Sequence, residues 1–501
     1  MTWWRDAVIY QIYPRSFCDS DGDGIGDLNG IRSQLEYLSW LGVDALWLTP
    51  IYPSPMKDFG YDVSNYVAID SLFGSMQDFD RLVGEAHERG IRVILDWVPN
   101  HTSSEHPWFI NSRSARDSAL RDWYVWRDAK ADGSLPNNWI HAWSEESVWT
   151  WDEATEQYYL HCFLPSQPDL NWANDRVREA MEATMRFWLD RGVDGLRMDV
   201  VHLLGKDLDV DDPDELRMLG HTPFGDTAVT HDYLREIRRV LDEYEGDRMS
   251  IGEVYLFDPE RVATYYGDHD ELHLAFNFAS LFTQWRAEEW RGLIERTERA
   301  LESVDGWPTW VLSNHDNARI ATRLAGDPRR VRAAILLLLT LRGTPFLYQG
   351  EELGLADAVI PADRVVDPGG RDGCRAPIPW TREADFGWRR APWLPFVENA
   401  AALSVDAQRT SDDSVLALTR EILALRRRMK SLQSGGVENL MVEGNVLFFD
   451  RVAEGERLRV MVNFSRDAPC ALPAGTSVLL SSGDSPAGGL GPGEAVILDV
   501  N

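Results

Sequence analysis

Two acidic residues, Asp199 and Glu253, each end a short apolar run and could together cleave a glycosidic bond. That chemistry uses one ionised carboxylate, which attacks the anomeric carbon or supports the charge developing there, and one carboxylic acid, which protonates the leaving oxygen. Arg197 lies two residues before Asp199, so strand alternation places both side chains on one face, where the guanidinium would keep Asp199 ionised. Glu253 follows the apolar pair Ile251-Gly252, which favours a proton donor.

Three further polar residues could hold a sugar in the same cavity. Asp316 would hydrogen-bond substrate hydroxyls and distort the bound ring, whereas His101 and His315 could donate to sugar hydroxyls without forming a strong ion pair. A single carboxylate or histidine at the end of a strand is more often a cap or a structural group. Here four separate segments carry such residues, each where an apolar run ends, and together they favour one catalytic site.

Eight short runs of apolar, β-branched and aromatic residues predict the strands that must position these groups: Val8–Tyr13, Ala45–Thr49, Arg92–Asp96, Gly195–Asp199, Met249–Glu253, Leu272–Phe278, Trp310–Asn314 and Pro345–Gln349. Amphipathic stretches between many of them predict helices, among them Gly30–Leu41, Met76–Arg89, Asp175–Arg191 and Asp226–Glu243. Strands alternating with helices are typical of a parallel barrel. The sequence therefore predicts an α/β fold, a (β/α)8 TIM barrel, with its active site at the C-terminal ends of the strands.

Two changes of pattern predict how the chain divides into domains. Residues 102–169 are rich in Trp, Asn, Ser and Pro and predict an inserted loop domain after the third strand, and residues 351–401 predict a second long insertion. Short strands such as Met441–Asp450 and Arg457–Phe464 predict an all-β domain at the C-terminal end. We expect a barrel domain at 1–101 and 170–430, an inserted domain at 102–169 and a C-terminal β-sandwich at 431–501.

The composition excludes several classes of protein. The chain of 501 residues carries a formal net charge of −31, which argues against a nucleic acid or an anionic membrane as a partner. No apolar run reaches the length of about 18 residues that a membrane span needs, and the first residues lack the pattern of a signal peptide. The four cysteines have no metal-type spacing. We expect a cytoplasmic protein that is a monomer or a homodimer.

An acidic loop follows the first predicted strand. In the segment Asp19-Ser20-Asp21-Gly22-Asp23-Gly24-Ile25-Gly26-Asp27, oxygens at alternate positions suit calcium and the glycines permit a sharp turn. The loop departs from an EF-hand, because its twelfth position is Gly30 rather than Glu. The alternatives are magnesium or an acidic turn without metal, and no organic cofactor is indicated.

Four segments resemble the signature regions of the alpha-amylase family of glycoside hydrolases, and the resemblance extends over nearly the whole chain. They are Asp96-Trp97-Val98-Pro99-Asn100-His101, Gly195-Leu196-Arg197-Met198-Asp199-Val200, Gly252-Glu253-Val254-Tyr255 and Val311-Leu312-Ser313-Asn314-His315-Asp316. The resemblance implies that Asp199 is the nucleophile, Glu253 the acid/base and Asp316 the stabiliser of the transition state. It also implies that Arg197, His101 and His315 bind the sugar that is cleaved.

Other segments resemble those of the oligo-1,6-glucosidase and α-glucosidase group. Gln167-Pro168-Asp169-Leu170-Asn171 is similar to the group's marker segment, and Phe163 just before it could line the cavity or simply pack in the core. Asp58-Phe59-Gly60-Tyr61-Asp62 resembles the loop in which Tyr61 would stack on the sugar. By the same resemblance, Asp58 and Arg371 would bind terminal hydroxyls and close one end of the cleft.

Three further implications of the resemblance concern the cation, the linkage and the acceptor side. Asp19, Asp21, Asp23 and Asp27 would bind a structural calcium ion by their side chains, and Ile25 by its carbonyl oxygen. Val200 follows the nucleophile at a position that resembles a linkage selector, where valine is associated with α-1,6 preference. The segment 137–146 departs from the group's usual pattern, and Trp143 could supply the aromatic group there.

Taken together, the residues and the resemblance predict a retaining, exo-acting α-glucosidase that releases glucose from short α-glucosides and also transfers it to other sugars. The alternatives are an α-glucosyltransferase or a sucrose- or trehalose-acting relative. A more remote alternative is a non-enzymatic subunit of a transporter.

Overall fold

A computed structural model describes residues 2–141, 146–211, 225–483 and 489–500. Its strands, in chain order, are β1 Ile9–Ile12, β2 Ala45–Leu48, β3 Arg92–Trp97, β4 Trp126–Arg127, β5 Trp149–Asp152, β6 Gln157–Leu160, β7 Gly195–Met198, β8 Met249–Gly252, β9 Leu274–Ala275, β10 Thr309–Val311, β11 Thr344–Tyr348, β12 Gly436–Glu443, β13 Val446–Ala453, β14 Glu456–Asn463, β15 Ser477–Ser481 and β16 Ala495–Asp499.

The α-helices of the described residues lie between and after these strands. They are α1 Trp3–Asp6, α2 Leu28–Ser33, α3 Leu35–Leu41, α4 Met76–Glu88, α5 Pro107–Ser112, α6 Asp175–Leu189, α7 Ala228–Asp242, α8 Pro259–Ala263, α9 Ala279–Phe282, α10 Ala287–Glu302, α11 Ile320–Arg323, α12 Pro328–Thr340, α13 Ala400–Leu403, α14 Val405–Gln408, α15 Val415–Arg428 and α16 Lys430–Gln433.

The barrel is one parallel sheet of eight strands in the order β10-β11-β1-β2-β3-β7-β8-β9. This order confirms the predicted (β/α)8 fold, and each of the eight predicted strands is present, although β9 is only two residues long. In the β3–β7 register Asp96 pairs with Arg197, and β7 pairs next with β8. Residues that follow these three strands are therefore brought to the same end of the barrel.

The helices match the sequence pattern closely, with one difference. The predicted helix Gly30–Leu41 is two helices, α2 and α3, separated at Gln34, whose φ of −103° and ψ of 7° are not helical. The first of them begins two residues earlier than predicted because the carboxylate of Asp27 accepts a hydrogen bond from the Gly30 backbone N–H and caps the helix.

The first insertion contains regular structure that the sequence did not indicate. β4, β6 and β5 form a three-stranded antiparallel sheet that lies beside the barrel. The segment is held to the barrel by bridges that pair His101 with Asp169 and Tyr124 with Leu170. These bridges place both ends of the insertion at the same edge of the barrel.

A five-stranded antiparallel sheet, in the order β12-β13-β14-β16-β15, follows the barrel and confirms an all-β C-terminal region. The predicted strand Met441–Asp450 is wrong, because a two-residue turn at Gly444, which has a φ of 62°, divides it into β12 and β13. The proposed domain boundaries, and a second sheet facing this one, stay predictions.

Residues 333–341 are strongly hydrophobic because nearly all of them lie in α12, a helix that is buried between its neighbours. The helix packs against α15 on one side and against β14 and β16 of the C-terminal sheet on another, so most of its side chains are buried. Two buried arginines complete the junction: Arg426 donates to the Gly343 carbonyl at 2.9 Å, and Arg451 donates to the Gly435 carbonyl at 2.9 Å. Among the described residues, no helix is both long and apolar enough to cross a membrane.

Candidate active site

One buried guanidinium lies at the centre of the site. Arg197 on β7 donates from Nη1 to Asp96 at 2.8 Å and to Asp199 at 2.6 Å, and from Nη2 to Glu253. The side chain of Arg197 is 2% exposed. Asp199 and Glu253 follow adjacent strands, so a single planar cation holds both acids that the sequence singled out.

The electrostatics of this cluster are dominated by burial. Burial raises the pKa of Asp199 well above its ordinary value, Arg197 opposes that rise, and the neighbouring Glu253 and Asp96 add to it. Three carboxylates around one guanidinium leave an excess of negative charge in a space that excludes water. The sequence-based expectation that Arg197 favours the ionised form of Asp199 has the right sign, but burial is the larger effect.

Asp96, at the C-terminal end of β3, is a site residue to which the sequence gave no role. Besides Arg197, it accepts hydrogen bonds from the Tyr61 hydroxyl at 3.0 Å and from the Trp47 indole at 3.2 Å. Burial raises its pKa to about 6 even though Arg197 favours the charged form. Asp96 therefore shares Nη1 of Arg197 with Asp199, while Glu253 accepts from Nη2.

Asp316 lies in a second cationic cluster. It accepts hydrogen bonds from Arg371 at 3.0 Å and from Arg375 at 3.1 Å, and its other oxygen lies 3.1 Å from Nε2 of His315. Burial would raise the pKa of Asp316, but His315 and the two arginines together lower it well below the ordinary value. Its neighbours thus favour the ionised form of Asp316.

The predicted ion pair between Asp58 and Arg371 is present. Arg371 donates to Asp58 at 2.6 Å and also to Asp367 at 2.6 Å. Gln167 donates to the second oxygen of Asp58 at 2.9 Å. Burial raises the pKa of Asp58 to about 6, against the effect of Arg371. The second insertion therefore meets the loop after β2 and the first insertion at this point.

His315 and Tyr61 form a stacked pair. Their rings are 5.4 Å apart and inclined by only 4°, and Nε2 of His315 lies 2.7 Å from the Tyr61 hydroxyl. The other ring nitrogen lies 2.7 Å from the Gln11 amide nitrogen. Burial lowers the pKa of His315 to about 3, so the ring is neutral at ordinary pH. Tyr13 stacks on the other side of His315 at 6.0 Å.

His101 joins the barrel to the first insertion. Its Nε2 lies 3.1 Å from the amide nitrogen of Gln167, and its Nδ1 lies 3.1 Å from the amide nitrogen of Asn100. Phe163 packs against the imidazole with ring centres 5.2 Å apart, which places it beside the site as well as in a local apolar cluster. Burial lowers the pKa of His101 to about 4.

Val200 has a strained backbone directly after Asp199. Its φ of 38° and ψ of 44° lie in the left-handed region, which a β-branched residue rarely adopts. Its backbone N–H points to Glu253 Oε2 at 3.4 Å, and its side chain is buried. The turn therefore links the segment after Asp199 to the carboxylate of Glu253.

The acidic loop brings together some of the predicted metal ligands. Among the described residues, ligand atoms of Asp19, Asp21 and Asp27 lie within 4.8 Å of one another. Asp23 is not part of that group, and its carboxylate instead accepts a hydrogen bond from the Ile25 N–H at 2.7 Å, while the predicted role of the Ile25 carbonyl stays a prediction. Partial burial and the neighbouring carboxylates raise the pKa of Asp23. The oxygen-rich group fits a hard divalent cation.

Several polar residues of the site were given no role from the sequence. Asp96, Gln167, Asp367 and Arg375 all contact predicted site residues, although Asp96 was noted as the first residue of a signature segment and Gln167 as part of a marker segment. A buried polar residue beside a motif is the signal that could have identified them. Trp143 lies outside the described residues.

Comparison with known proteins identifies the family. The model for "Alpha amylase, catalytic domain" matches residues 11–435, and that for a domain of unknown function, DUF3459, matches residues 442–498. The chain belongs to the alpha-amylase family. Its catalytic domain is thus that of a glycoside hydrolase family, and the residues of the site described above lie within the matched range.

Relatives and solved structures agree with that assignment. A probable alpha-glucosidase of Rhizobium meliloti (strain 1021) is 41% identical, over 93% of this chain and 90% of that protein. The oligo-1,6-glucosidase of Heyndrickxia coagulans is 37% identical, over 93% and 92%. The crystal structure of the alpha-glucosyl transfer enzyme XgtA is 39% identical, with a TM-score of 0.93 over 100% of both chains. The chain is therefore an enzyme of the glycoside hydrolase or glucosyl transferase type.

The contacts of Asp96 lead to a first prediction. Asp96→Asn keeps the size of the side chain but removes the charge that Arg197 and the Tyr61 hydroxyl bind, so Arg197 should move relative to Asp199 and Glu253. We expect kcat/KM for p-nitrophenyl α-glucoside to fall about 10- to 100-fold, as loss of a charged hydrogen bond predicts. Asp132→Asn, at an exposed position, is the control, and an unchanged kcat/KM in Asp96→Asn would contradict this role.

Proposed function

We propose that the protein is a retaining, exo-acting α-glucosidase that releases glucose from the non-reducing end of short α-glucosides. The observation that carries the proposal is the pair of acids held by one arginine, Asp199 and Glu253 on Arg197, and the buried Asp58–Arg371 ion pair supports its exo-acting part. The names of the relatives support the substrate class, since they include an alpha-glucosidase and an oligo-1,6-glucosidase.

In the proposed mechanism, Asp199 attacks the anomeric carbon while Glu253 protonates the leaving oxygen, and a covalent β-glucosyl intermediate forms. Glu253 then acts as a base towards water or a second sugar hydroxyl, and the product keeps the α configuration. Arg197 contacts both acids, so it can stabilise Asp199 as an anion before attack and Glu253 as an anion after proton transfer. Asp316, which its neighbours keep ionised, would bind hydroxyls of the ring.

The exo-acting part of the proposal depends on one end of the cleft. Asp58, Arg371 and Gln167 lie in contact there, and Asp58 is 3% exposed. A chain that continued past this end would have to displace a buried ion pair, which is costly. A terminal glucose can instead exchange hydrogen bonds with the carboxylate and the guanidinium. These contacts support cleavage of single units from the chain end.

A specific observation favours a second function, glucosyl transfer. The transfer enzyme XgtA matches the whole chain with a TM-score of 0.93. Transfer uses the same covalent intermediate, and the acceptor side decides whether water or a sugar reacts with it. The resemblance implies that Val200 selects α-1,6 linkages. A methyl-sized difference in a pocket, however, changes the discrimination between two substrates by only about 1–3 kcal/mol.

Rescue of inactive variants by azide tests the retaining mechanism. Asp199→Ala and Glu253→Ala should each lower kcat on p-nitrophenyl α-glucoside by about 10³-fold or more. Azide should then restore turnover from the vacated side, giving β-glucosyl azide with Asp199→Ala and α-glucosyl azide with Glu253→Ala. Nuclear magnetic resonance spectra distinguish the two products. The same azide anomer from both variants, or full activity without azide, would refute the assignment of the two acids.

The products formed from maltopentaose test the exo-acting and transfer proposals. At low substrate concentration we expect glucose and maltotetraose as the first products, because the Asp58–Arg371 pair admits one terminal unit. Asp58→Asn should lower kcat/KM about 10- to 100-fold and, because it removes the ion pair, let some maltose and maltotriose appear early. Early maltose and maltotriose from the wild type would show internal cleavage. At high maltose concentration, products longer than maltose measure the share of transfer.

We also propose that Asp19, Asp21 and Asp27 bind a structural divalent cation, calcium or magnesium. The support is the convergence of their oxygens, which lie within 4.8 Å of one another. The bound cation would neutralise acidic charge in the loop between β1 and α2. The loop belongs to the fold rather than to the acids that act on the substrate.

Removal of the cation should therefore affect stability more than catalysis. We expect EDTA to lower the Tm by several degrees and added calcium or magnesium to restore it, because a ligand that binds only the folded state stabilises that state. Asp21→Asn should weaken this response, whereas Asp132→Asn should keep it. A Tm that responds to neither EDTA nor added cation would exclude the site, and kcat below the Tm should not change.

A further inference from the structure

The segment that carries Glu253 has no regular secondary structure of its own. β8 ends at Gly252, and the chain that follows is irregular as far as α8, which begins at Pro259. The backbone of Glu253 is held instead by β7 and the turn after it. Its N–H donates to the Met198 carbonyl at 2.8 Å, and its carbonyl accepts from the Val201 N–H at 3.1 Å. The position of this acid therefore depends on contacts from a neighbouring part of the chain.

The turn beyond β7 reaches this segment with consecutive residues. The left-handed backbone of Val200, with a φ of 38°, leads the chain into a short 3-10 turn, Val201–Leu203. The Val200 N–H points to Glu253 Oε2 at 3.4 Å, and the next residue binds the Glu253 carbonyl. His202 follows in the same turn, and its side chain reaches the same segment from there.

His202 adds the contact of a side chain to those of the backbone. The Tyr255 N–H points to His202 Nδ1 at 3.5 Å, and the backbone of Glu253 also hydrogen-bonds the ring. His202 is only 2% exposed, and burial lowers its pKa to about 4, so the ring is neutral at ordinary pH. The imidazole therefore holds the peptide groups on both sides of Val254 without placing a charge beside the Glu253 carboxyl group.

The backbone of His202 is itself fixed from the other side. The Asp226 N–H donates to the His202 carbonyl at 2.7 Å. A Cβ built on Gly225 would lie only 2.8 Å from the same carbonyl oxygen, so glycine is what allows the two backbones to approach this closely. The turn is thus anchored to the chain before α7, and the ring has a fixed base from which to hold residues 253–255.

We propose that His202 is a positioning residue for Glu253: by holding the backbone of residues 253–255, its ring sets where the Glu253 carboxyl group lies relative to the bond that is cleaved. Acid catalysis depends on this placement, because the proton passes only between atoms within hydrogen-bond reach. Asp199 is held separately, since its N–H donates to the Trp97 carbonyl at 2.9 Å. The inference rests on the proposed function for the role of Glu253 as the acid.

Two substrates with different leaving groups test this role. Maltose releases a sugar oxygen that must be protonated as it leaves, whereas α-glucosyl fluoride releases fluoride, which is a stable anion and needs little help from an acid. For both substrates, kcat/KM reports the formation of the glucosyl intermediate. A displaced acid should therefore lower kcat/KM for maltose more than for the fluoride, while general damage to the site should lower both values alike.

His202→Phe and His202→Asn separate hydrogen bonding from packing. Phenylalanine keeps a ring but removes both nitrogens, whereas asparagine loses the ring but keeps a polar atom at the position of Nδ1. We expect kcat/KM for maltose to fall about 10- to 100-fold in His202→Phe, less than the full effect of a general acid, and to fall much less in His202→Asn. In both variants, kcat/KM for α-glucosyl fluoride should change by less than about threefold, because that step needs little acid catalysis.

His106 offers a matched control. It is also a buried histidine, 5% exposed, and its Nδ1 accepts from the Trp108 backbone N–H at 3.1 Å. Its ring packs against Trp108 and Tyr66 in the first insertion and the loop before it, rather than against the acids. His106→Phe should lower the Tm, because it removes a cap of α5, but it should leave the ratio of the two kcat/KM values unchanged.

Glu253→Gln separates this inference from the proposed function. Under the proposed function, it should lower kcat/KM for maltose far more than for α-glucosyl fluoride, and equal losses on the two substrates would refute Glu253 as the acid. If Glu253→Gln shows the selective loss and His202→Phe does not, the positioning role alone is overturned. A His202→Asn variant as impaired as His202→Phe would also overturn it, because the ring rather than its nitrogen would then hold the segment.

Discussion

The site depends on the burial of more negative charge than one arginine can neutralise. Asp96, Asp199 and Glu253 all contact Arg197, and each charge that leaves water must gain a partner. Adjacent parallel strands make this possible, because the β3–β7 register sets Asp96 beside Arg197 and β8 delivers Glu253 from the next strand. The barrel thus supplies one cation that contacts both acids of the proposed double displacement.

A second cluster divides the charge differently. Arg371 and Arg375 contact Asp316, Asp58 and Asp367, so here cations are nearly as numerous as carboxylates, and the pKa of Asp316 is lowered while that of Asp199 is raised. The two clusters therefore shift the pKa values of their acids in opposite directions. In the proposed mechanism Asp199 must be ionised when it attacks, and Arg197 is the contact that favours this form.

The sequence predicted the barrel strands and the acids at their ends because both follow local patterns. It did not predict the role of Asp96 or of Gln167, because their partners lie on other strands or loops and are set by register and loop closure. The split of the helix at Gln34 and the turn at Gly444 were missed for a different reason: single residues with non-helical or positive-φ backbone interrupt a hydrophobic pattern without changing it.

Residues of the same type in this site differ in the hydrogen-bond partners that surround them. His101 and His315 are both buried and neutral, and both were expected to bind sugar, yet their neighbours differ. Both ring nitrogens of His315 have hydrogen-bond partners within the protein, Gln11 and Tyr61, and these contacts fix the orientation of the ring. At His101, the Asn100 and Gln167 amide nitrogens each lie 3.1 Å from a ring nitrogen, and the backbone of Tyr61 also hydrogen-bonds the ring. The two rings therefore join different parts of the fold: His315 joins β1 to the loop after β2, and His101 joins the barrel to the first insertion.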